Sequence, residues 1–498
     1  MPGGAAAGEG LHISPLMERL QPLLARHDVP VYLVGGAVRD ALLQEIGYDL
    51  DFAAPEGAIE LAFRVGDALG APAFVLDHER DIGRVVLPDD PGVLDFARFR
   101  GETLEADLKD RDFTINAMAL PAGALDHDHL IDPCGGLEDL ERGLVRMTHE
   151  SALADDPVRV LRALRIAARF GFRMTPDTVQ AVQVAAPELR DVSAERVRDE
   201  LLKLLQTERP DEGVGQMDAL GVLDVVLPEV AALRAVEQSP PHHEPVLAHT
   251  LSVLRWLVQV EAAVVEGQDP AAPPLAEAQE ALASYAADLR EHLGREVVGG
   301  VDGRALLRLG GLFHDVGKAR TQEVDDDGRI RFFGHDKEGA GLATHRLRRL
   351  HLSNEVVRTV QSMVAAHMRP LFLNQAEKVT RRAVYRFFRD AGDAGVDVGL
   401  LTLADHLATY DGAGDAGEWE GLLDVVGRLY RHYFEAYEET VAPPPLLDGN
   451  ELMDALDMRP GPEVGRLLRL IEEAQAAGEV GTKEEALALA REAHGREG

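Results

Sequence analysis

The 498-residue chain has one cysteine, Cys134, which excludes an internal disulfide and any zinc site built from several thiolates. It has no run of about 18 apolar residues, so no membrane span is expected. Its first ten residues, Met1 to Gly10, have neither the basic opening nor the apolar stretch of a signal peptide, and a cytoplasmic location is the expectation. No internal repeat is visible. Positive charge is scarce as well: Lys and Arg number 51 against 86 Asp and Glu, for a formal net charge of −35. Phosphate neutralisation supplies most nucleic-acid affinity, so an RNA-binding role requires a local basic surface on an acidic body. Acids collect in Glu261–Glu296 and in the C-terminal helices. Arginine far outnumbers lysine, which suits bidentate phosphate contacts, but this bias runs through the whole chain and discriminates nothing.

The length predicts three or four domains. Residues 28–148 mix strand and helix signals: Val31-Tyr-Leu-Val34, Asp49-Leu-Asp-Phe52, Gly83–Leu87 and Val93–Phe99 read as strands, and Ala37–Leu43 as a helix. From Asp155 onwards helical periodicity dominates. Pro240-Pro241 and Pro443-Pro-Pro445 mark boundaries, and Ala271-Ala-Pro-Pro274 lies in an insertion.

Asp49 and Asp51 stand i, i+2 on a predicted strand, so both carboxylates leave one face roughly 6–7 Å apart. That spacing suits two Mg²⁺ ions about 4 Å apart, which activate a 3′-hydroxyl and stabilise a leaving pyrophosphate; the plain reading is an edge strand with two solvated acids. Upstream, Gly35-Gly36 ends a strand and opens a helix, a turn whose backbone can approach phosphate oxygens, with Arg39 in the first helical turn. In Asp110-Arg-Asp-Phe-Thr-Ile-Asn-Ala117, Arg111 suits a triphosphate and Asp112 a ribose 2′-OH, although a turn with a salt bridge fits the bare string too. In Asp155-Asp-Pro-Val-Arg-Val-Leu-Arg-Ala-Leu-Arg165, Pro157 fits the first turn of a helix capped by Asp155 or Asp156. Arg159, Arg162, Arg165 and Arg169 then fall within an arc of about 120°. No acid occurs between Asp156 and Asp177, so the stripe lacks i, i+4 partners and reads as unpaired, either an anion site or a solvated face.

Five strings in order, Leu33-Val-Gly-Gly-Ala-Val-Arg-Asp40, Asp49-Leu-Asp51, Asp107-Leu-Lys-Asp-Arg-Asp-Phe-Thr-Ile-Asn-Ala117, Ile131-Asp-Pro-Cys-Gly-Gly-Leu-Glu-Asp-Leu140 and Asp155-Asp-Pro-Val-Arg159, resemble the bacterial tRNA nucleotidyltransferase and poly(A) polymerase family over residues 28–230. The resemblance implies that Gly36 and Arg39 bind the triphosphate and that Asp49 and Asp51 hold Mg²⁺. It assigns Asp95 as a third carboxylate, and Arg111 and Asp112 to the triphosphate and ribose. Asp156 and Arg159 would hydrogen-bond the incoming base, with Arg162 and Arg165 lining the pocket. Two positions depart from the pattern: Asp110-Arg-Asp112 stands where the family has Arg-Arg-Asp, and Asp155-Asp156 where it has Glu-Asp.

Further on, Phe313-His-Asp-Val-Gly-Lys318, with His249 before it and His335, His367 and Asp405 after it, resembles the HD phosphohydrolase superfamily. That resemblance implies a helical domain over about 240–435, binding one or two divalent ions that activate water against a phosphate ester; an inactive, structural HD fold is the alternative. Leu446–Met453 and Arg459–Gly465 resemble the C-terminal helical segment of the tRNA enzymes, which supports the tRNA elbow.

The expected architecture is α+β: a nucleotidyltransferase head with a small mixed β-sheet over 28–148, a helical neck and body that bind nucleobase and tRNA over 149–238, an HD domain over 239–440, and a helical tail over 441–498. The expected partners are tRNA and CTP, with ATP as well if the enzyme completes CCA, and no membrane. Enzymes of this family that add C, C and A carry a flexible loop between the third carboxylate and the Arg-Asp motif. Here only Arg100-Gly-Glu-Thr-Leu-Glu105 intervenes between Phe99 and Ala106. A specificity switch needs an element with two states, so the expectation is addition of CC alone, with a separate A-adding enzyme acting next. The rivals are a full CCA-adding enzyme, a poly(A) polymerase, a protein-modifying uridylyltransferase with an HD domain, and an RNA-binding scaffold with inactive sites.

Overall fold

Strand β1 (Tyr32–Val34) lies between two neighbours, and Leu33 and Val34 are accordingly buried. In the computed structural model, which describes residues 11, 13–25, 27–88, 92–298 and 300–495, it pairs with β2 (Leu50–Ala54) and β6 (Ala119–Pro121). With β3 (Ala73–Asp77), β4 (Ile82–Val86) and β5 (Val93–Arg98), they form one mixed sheet in the order β3-β4-β5-β2-β1-β6. Only β2 and β5 run parallel; they stack Phe52 on Phe96 at 4.9 Å. Helix α1 (Gly36–Leu42) follows β1, α2 (Ala58–Leu69) packs Leu61, Ala62 and Val65 into the core, and α3 (Leu104–Lys109) follows β5. The sequence pattern finds β1, β2, β4 and β5 to within two residues. It misses β3, an edge strand without a clean alternation, and β6, three residues long and defined by its pairing with β1.

Helix α4 (Arg159–Phe170) carries the arginine stripe on one side and Val160, Leu161, Ala163, Leu164 and Ala167 in the core on the other. It begins later than its proline suggests. Asp155 ends a short preceding helix, a turn follows in which the Arg159 and Val160 N–H groups donate to the Asp156 and Pro157 carbonyls, and the capping position is Val158 rather than either aspartate.

The chain packs as two compact units. One runs to Val192 and takes in Leu220–Val222; the other comprises Ser193–Ala219 and the chain from Leu223 onwards. The second is helical, apart from two short hairpins. Its centre is α10 (Ala394–Tyr410), almost wholly buried, against α5 (Val246–Val260), α6 (Gly303–Phe313) and α8 (Asn354–Ala366), with α7 (His335–Arg349) on α8. Buried Arg308 of α6 pairs with Glu261 and donates to the Leu205 and Thr207 carbonyls, so it satisfies the end of the helix Ala194–Leu205. Helices α9 (Arg381–Ala391) and α11 (Ala416–Tyr430) lead to the tail: α12 (Gly449–Leu456), α13 (Pro462–Ala476) and α14 (Lys483–Gly495) enclose Leu452, Leu467, Ile471, Ala486 and Ala490. Among the described residues no helix is long and apolar enough to cross a membrane.

Candidate active sites

Parallel pairing of β2 with β5 sets Asp51 directly beside Asp95. Asp49 sits one residue before β2, and its Oδ1 accepts the Val93 N–H at the start of β5, 3.1 Å away. Leu50 is buried while Asp49 and Asp51 are exposed, so both acids leave the same side, as a two-residue period requires. The Asp51 carboxyl is reached by solvent yet crowded by protein. This desolvation raises its pKa, Asp95 and Asp49 add to the rise, and the Arg111 and Arg162 guanidiniums oppose it. Acids gathered against their own repulsion, with hard oxygen donors only, fit Mg²⁺. Asp95 is already engaged: Arg84, opposite it on β4, grips both oxygens at 2.7 Å.

Gly35 explains why the turn before α1 has no side chain. Its φ is +75°, and a β-carbon there would lie 2.9 Å from Arg111 Nη1 and 3.5 Å from Asp51 Oδ2. The turn therefore borders the gap between the metal-type acid and the guanidinium. Arg111 is itself held by Asp107 at 3.0 Å.

Two of the strings meet in one buried polar chain with α4. Arg39 donates to Asp40 and, from Nη1, to Asn116 Oδ1 at 2.6 Å; Asn116 donates to Asp112 at 3.0 Å; Asp112 accepts from Arg162 of α4 at 2.8 Å. Arg169 returns to the start of the chain, reaching Asp40 at 3.4 Å and Glu45 at 2.8 Å. The arginine stripe is therefore not unpaired: it lacks partners along its own helix, but acids from α1 and its surroundings and from the Arg-Asp motif meet it across the fold. Arg159 donates to the Ala152 and Asp110 carbonyls, and Asp156 and Arg165 are half-buried beside it on the chain. Burial alone would raise the Asp112 pKa, but Arg162, Asn116 and the Phe113 N–H overcome it and hold the carboxyl well below the usual range. Arg39 is buried in this network, 4.8 Å over the Phe170 ring. Sequence reasoning gave no role to Arg84, Asp107, Asp40 or Asn116; the last three lie inside the quoted strings, and Arg84 carries no signal outside its strand register.

The second site gathers all six residues expected of it. His314 ends α6, Asp315 follows, His249 comes from α5, His335 opens α7, His367 ends α8 and Asp405 lies on α10. His314, His335 and His367 each use Nδ1 on the carbonyl three residues back, at 2.7–2.8 Å, which turns Nε2 inwards. Nε2 of His335 faces Nε2 of His367 at 3.2 Å, and buried Nε2 of His314 lies 3.2 Å from Asp315 Oδ2 without the geometry of a hydrogen bond. With both Nδ1 atoms donating, two ring lone pairs face each other, an arrangement a cation relieves. His249, His314 and Asp315 form one candidate metal group, and Asp315, His335 and His367 another, so Asp315 stands where it can bridge two ions. Asp405 accepts from His249 at 3.0 Å. Burial and neighbouring histidines push His367 down to about 4, so its ring is neutral and can coordinate. Lys318 Nζ lies 2.6 Å from Asp315. Gly317 of the same string lies under α7, where a β-carbon would collide with the His335 carbonyl, so the glycine lets the two halves of the cluster meet. A cavity of about 900 Å³ opens from this centre, lined by Lys318, Arg329, Arg331 and His242, with Phe333 and Phe372 exposed at it.

Comparison with known proteins identifies the family. Residues 94–146 match the Poly A polymerase head domain, 171–233 the probable RNA- and SrmB-binding site of polymerase A, and 280–410 the HD domain. An A-adding tRNA nucleotidyltransferase of Deinococcus radiodurans is 36% identical over 482 residues, covering 95% of this chain and 98% of that one. A CC-adding tRNA nucleotidyltransferase of Thermus thermophilus is 37% identical over 481 residues, 94% and 95% of the two chains. The fold is similar to that of the Thermotoga maritima CCA-adding enzyme complexed with tRNA, with a TM-score of 0.55 at 22% identity over 97% of both chains. The chain belongs to the bacterial tRNA nucleotidyltransferase and poly(A) polymerase family, and it carries an HD domain behind its nucleotidyltransferase head.

Proposed function

We propose that this chain is a cytoplasmic, CC-adding tRNA nucleotidyltransferase that transfers CMP from CTP to the tRNA 3′ end and leaves the terminal A to a separate enzyme. Asp49 and Asp51 hold Mg²⁺, with Asp95 beside them. When bound, Mg²⁺ supplies activation of the 3′-hydroxyl and neutralises charge on the departing pyrophosphate. Gly35 and Gly36 keep the space beside Asp51 open for the triphosphate, and Arg111 adds positive charge there. Arg39, expected on the triphosphate, adds its charge from the buried network behind the turn, Arg162 fixes Asp112 towards the ribose, and Asp156 and Arg159 read the base edge with Arg165 alongside.

The observation that carries the CC assignment is the link between β5 and α3. It is five residues long, 99–103, and it is tied down: the Arg100 N–H donates to Asp107, the Arg100 side chain to the Asp110 carbonyl, and Thr103 caps α3. A short, anchored link supports one nucleotide specificity rather than a switch between two. A tRNA lacking CCA, incubated with CTP and ATP together and read by sequencing, is expected to end in CC; completion to CCA refutes the assignment. A second reading, A addition to a tRNA already ending in CC, is favoured by the Deinococcus radiodurans relative. It is tested in the same assay with tRNA ending in CC and ATP alone.

The HD centre is proposed as a second, divalent-metal-dependent site acting on phosphate esters. His249, His314, Asp315, His335, His367 and Asp405 hold the ions, which when bound supply activated water. Lys318, Arg329 and Arg331 hold the ester phosphate in the cavity. The substrate class this reading assigns is a damaged tRNA end carrying a phosphate monoester or 2′,3′-cyclic phosphate.

A further inference from the structure

Away from both centres, a cavity of about 560 Å³ opens between the start of α9, the end of α11 and the turn after α13. Lys378, Arg381, Arg382, Arg428 and Arg431 line it, with only two carboxylates, Asp424 and Glu479. Those two are matched: Asp424 pairs with Arg428 at 2.7 Å and Glu479 with Arg382 at 2.7 Å. Arg381 reaches its nearest acid, Glu439, only at 3.7 Å. Among the described residues Lys378 and Arg431 have no ion-pair partner, and both are exposed. In a chain of net charge −35, five cations against two carboxylates make this concavity locally positive. The local field shows on His432, whose pKa is lowered by burial and then by Arg381, Arg431 and Arg428. The cavity has no Phe, Tyr or Trp in its lining, and its one imidazole, His432, is half-buried and hydrogen-bonded to Thr440, so cations rather than stacking platforms dominate it. Guanidiniums and an ammonium without aromatic partners suit phosphate oxygens.

We propose that this cavity is a phosphate-binding site that takes the sugar–phosphate backbone of the RNA substrate. The inference rests on the tRNA reading above, and it supplies the local basic surface that so acidic a chain requires. Lys378 and Arg431 are the unneutralised contacts; Arg381 is the third. They bind without reading sequence, so their effect is on affinity and its salt dependence rather than on base choice.

The test compares wild type with Lys378→Gln/Arg431→Gln and with Lys378→Glu/Arg431→Glu. Lys378 and Arg431 sit on the surface without ion-pair partners among the described residues, where substitution costs little stability, and melting curves check this. Binding of tRNA is measured across a salt series, alongside CMP transfer by wild type. The neutral pair should weaken tRNA binding about tenfold or more at low salt and flatten the salt slope by roughly 1.5–2; the reversed pair should weaken it further. If wild type binds tRNA and both variants match it in affinity and slope, the proposal is overturned. If they match it while free pyrophosphate binds wild type and not the variants, the pocket serves a small anion and the RNA occupant is overturned. If wild type neither binds tRNA nor transfers CMP, the tRNA reading itself fails, and this inference falls with it.

Discussion

Asp51 meets Asp95 across a parallel strand pair and lies open to solvent, whereas Asp315 is buried at the end of α6 among four imidazoles. The head site supplies its own counter-charges: Arg84 holds Asp95, Asp107 holds Arg111, and Arg162 holds Asp112. In the HD site one carboxylate, Asp315, stands against four imidazoles and Lys318, and the Nε2 atoms of His335 and His367 face one another. The contrast follows from what each has to admit. An open sheet face leaves room for a triphosphate and a 3′ end, and its arginines keep the acids tolerable between turnovers. A helical cluster of buried ligands at the edge of a cavity is organised around the cation itself, with three of its rings turned inwards by backbone carbonyls.

The largest effect should come from the open site. Asp49→Ala or Asp51→Ala should lower incorporation of radiolabelled CTP by about a thousandfold or more, roughly 4 kcal/mol of barrier, with an unchanged melting curve because both residues are exposed. Near-normal incorporation by either variant would remove the metal assignment.

The comparison is sharpened by His314→Ala. It should abolish metal-dependent hydrolysis of a phosphate monoester or 2′,3′-cyclic phosphate, measured with Mn²⁺, Ni²⁺, Co²⁺ and Mg²⁺ in turn, and should leave CTP transfer in place. Loss of transfer as well would show that the two sites are not independent, and a wild type inert with every ion would make the HD fold structural.

Asp112 links the head to α4 and should be visible in the pH dependence of stability. Its folded pKa lies below its unfolded value, so its contribution is complete above about pH 4 and is lost as pH falls through the folded value. Asp112→Asn should cost about 2 kcal/mol at neutral pH and flatten the decline in melting temperature below pH 4. An acid limb as steep as that of wild type would discount the Asp112–Arg162 pair.

The smallest shift concerns base choice. Asp156→Ala or Arg159→Ala should reduce discrimination among nucleotides about tenfold, roughly 1.4 kcal/mol, in competition between CTP and the other triphosphates. Slower turnover with selectivity intact would count against their role as a protein template.

Much of this was legible along the chain because it is local. The Asp49–Asp51 alternation, the Gly35-Gly36 turn, the helix bearing the arginines and the His-Asp-x-Gly-Lys string are all set within a few residues, where strand and helix periods dictate which side chains share a face. The order of the strings carried the rest of the family resemblance. Partners distant in sequence were not legible. Arg84 finds Asp95 only through the register of β4 on β5, and Arg162 and Arg169 find Asp112, Asp40 and Glu45 only when α4 docks, so a stripe without helical partners looked unpaired. The helix-end carbonyls that fix three histidine tautomers, and the backbone contact that demands glycine at 317, exist only once α6, α7 and α8 have packed. Sequence by itself therefore determined which groups this protein has and which way each leaves its own strand or helix. Tertiary structure decided which charges neutralise one another, because that depends on distances between elements that no local period encodes.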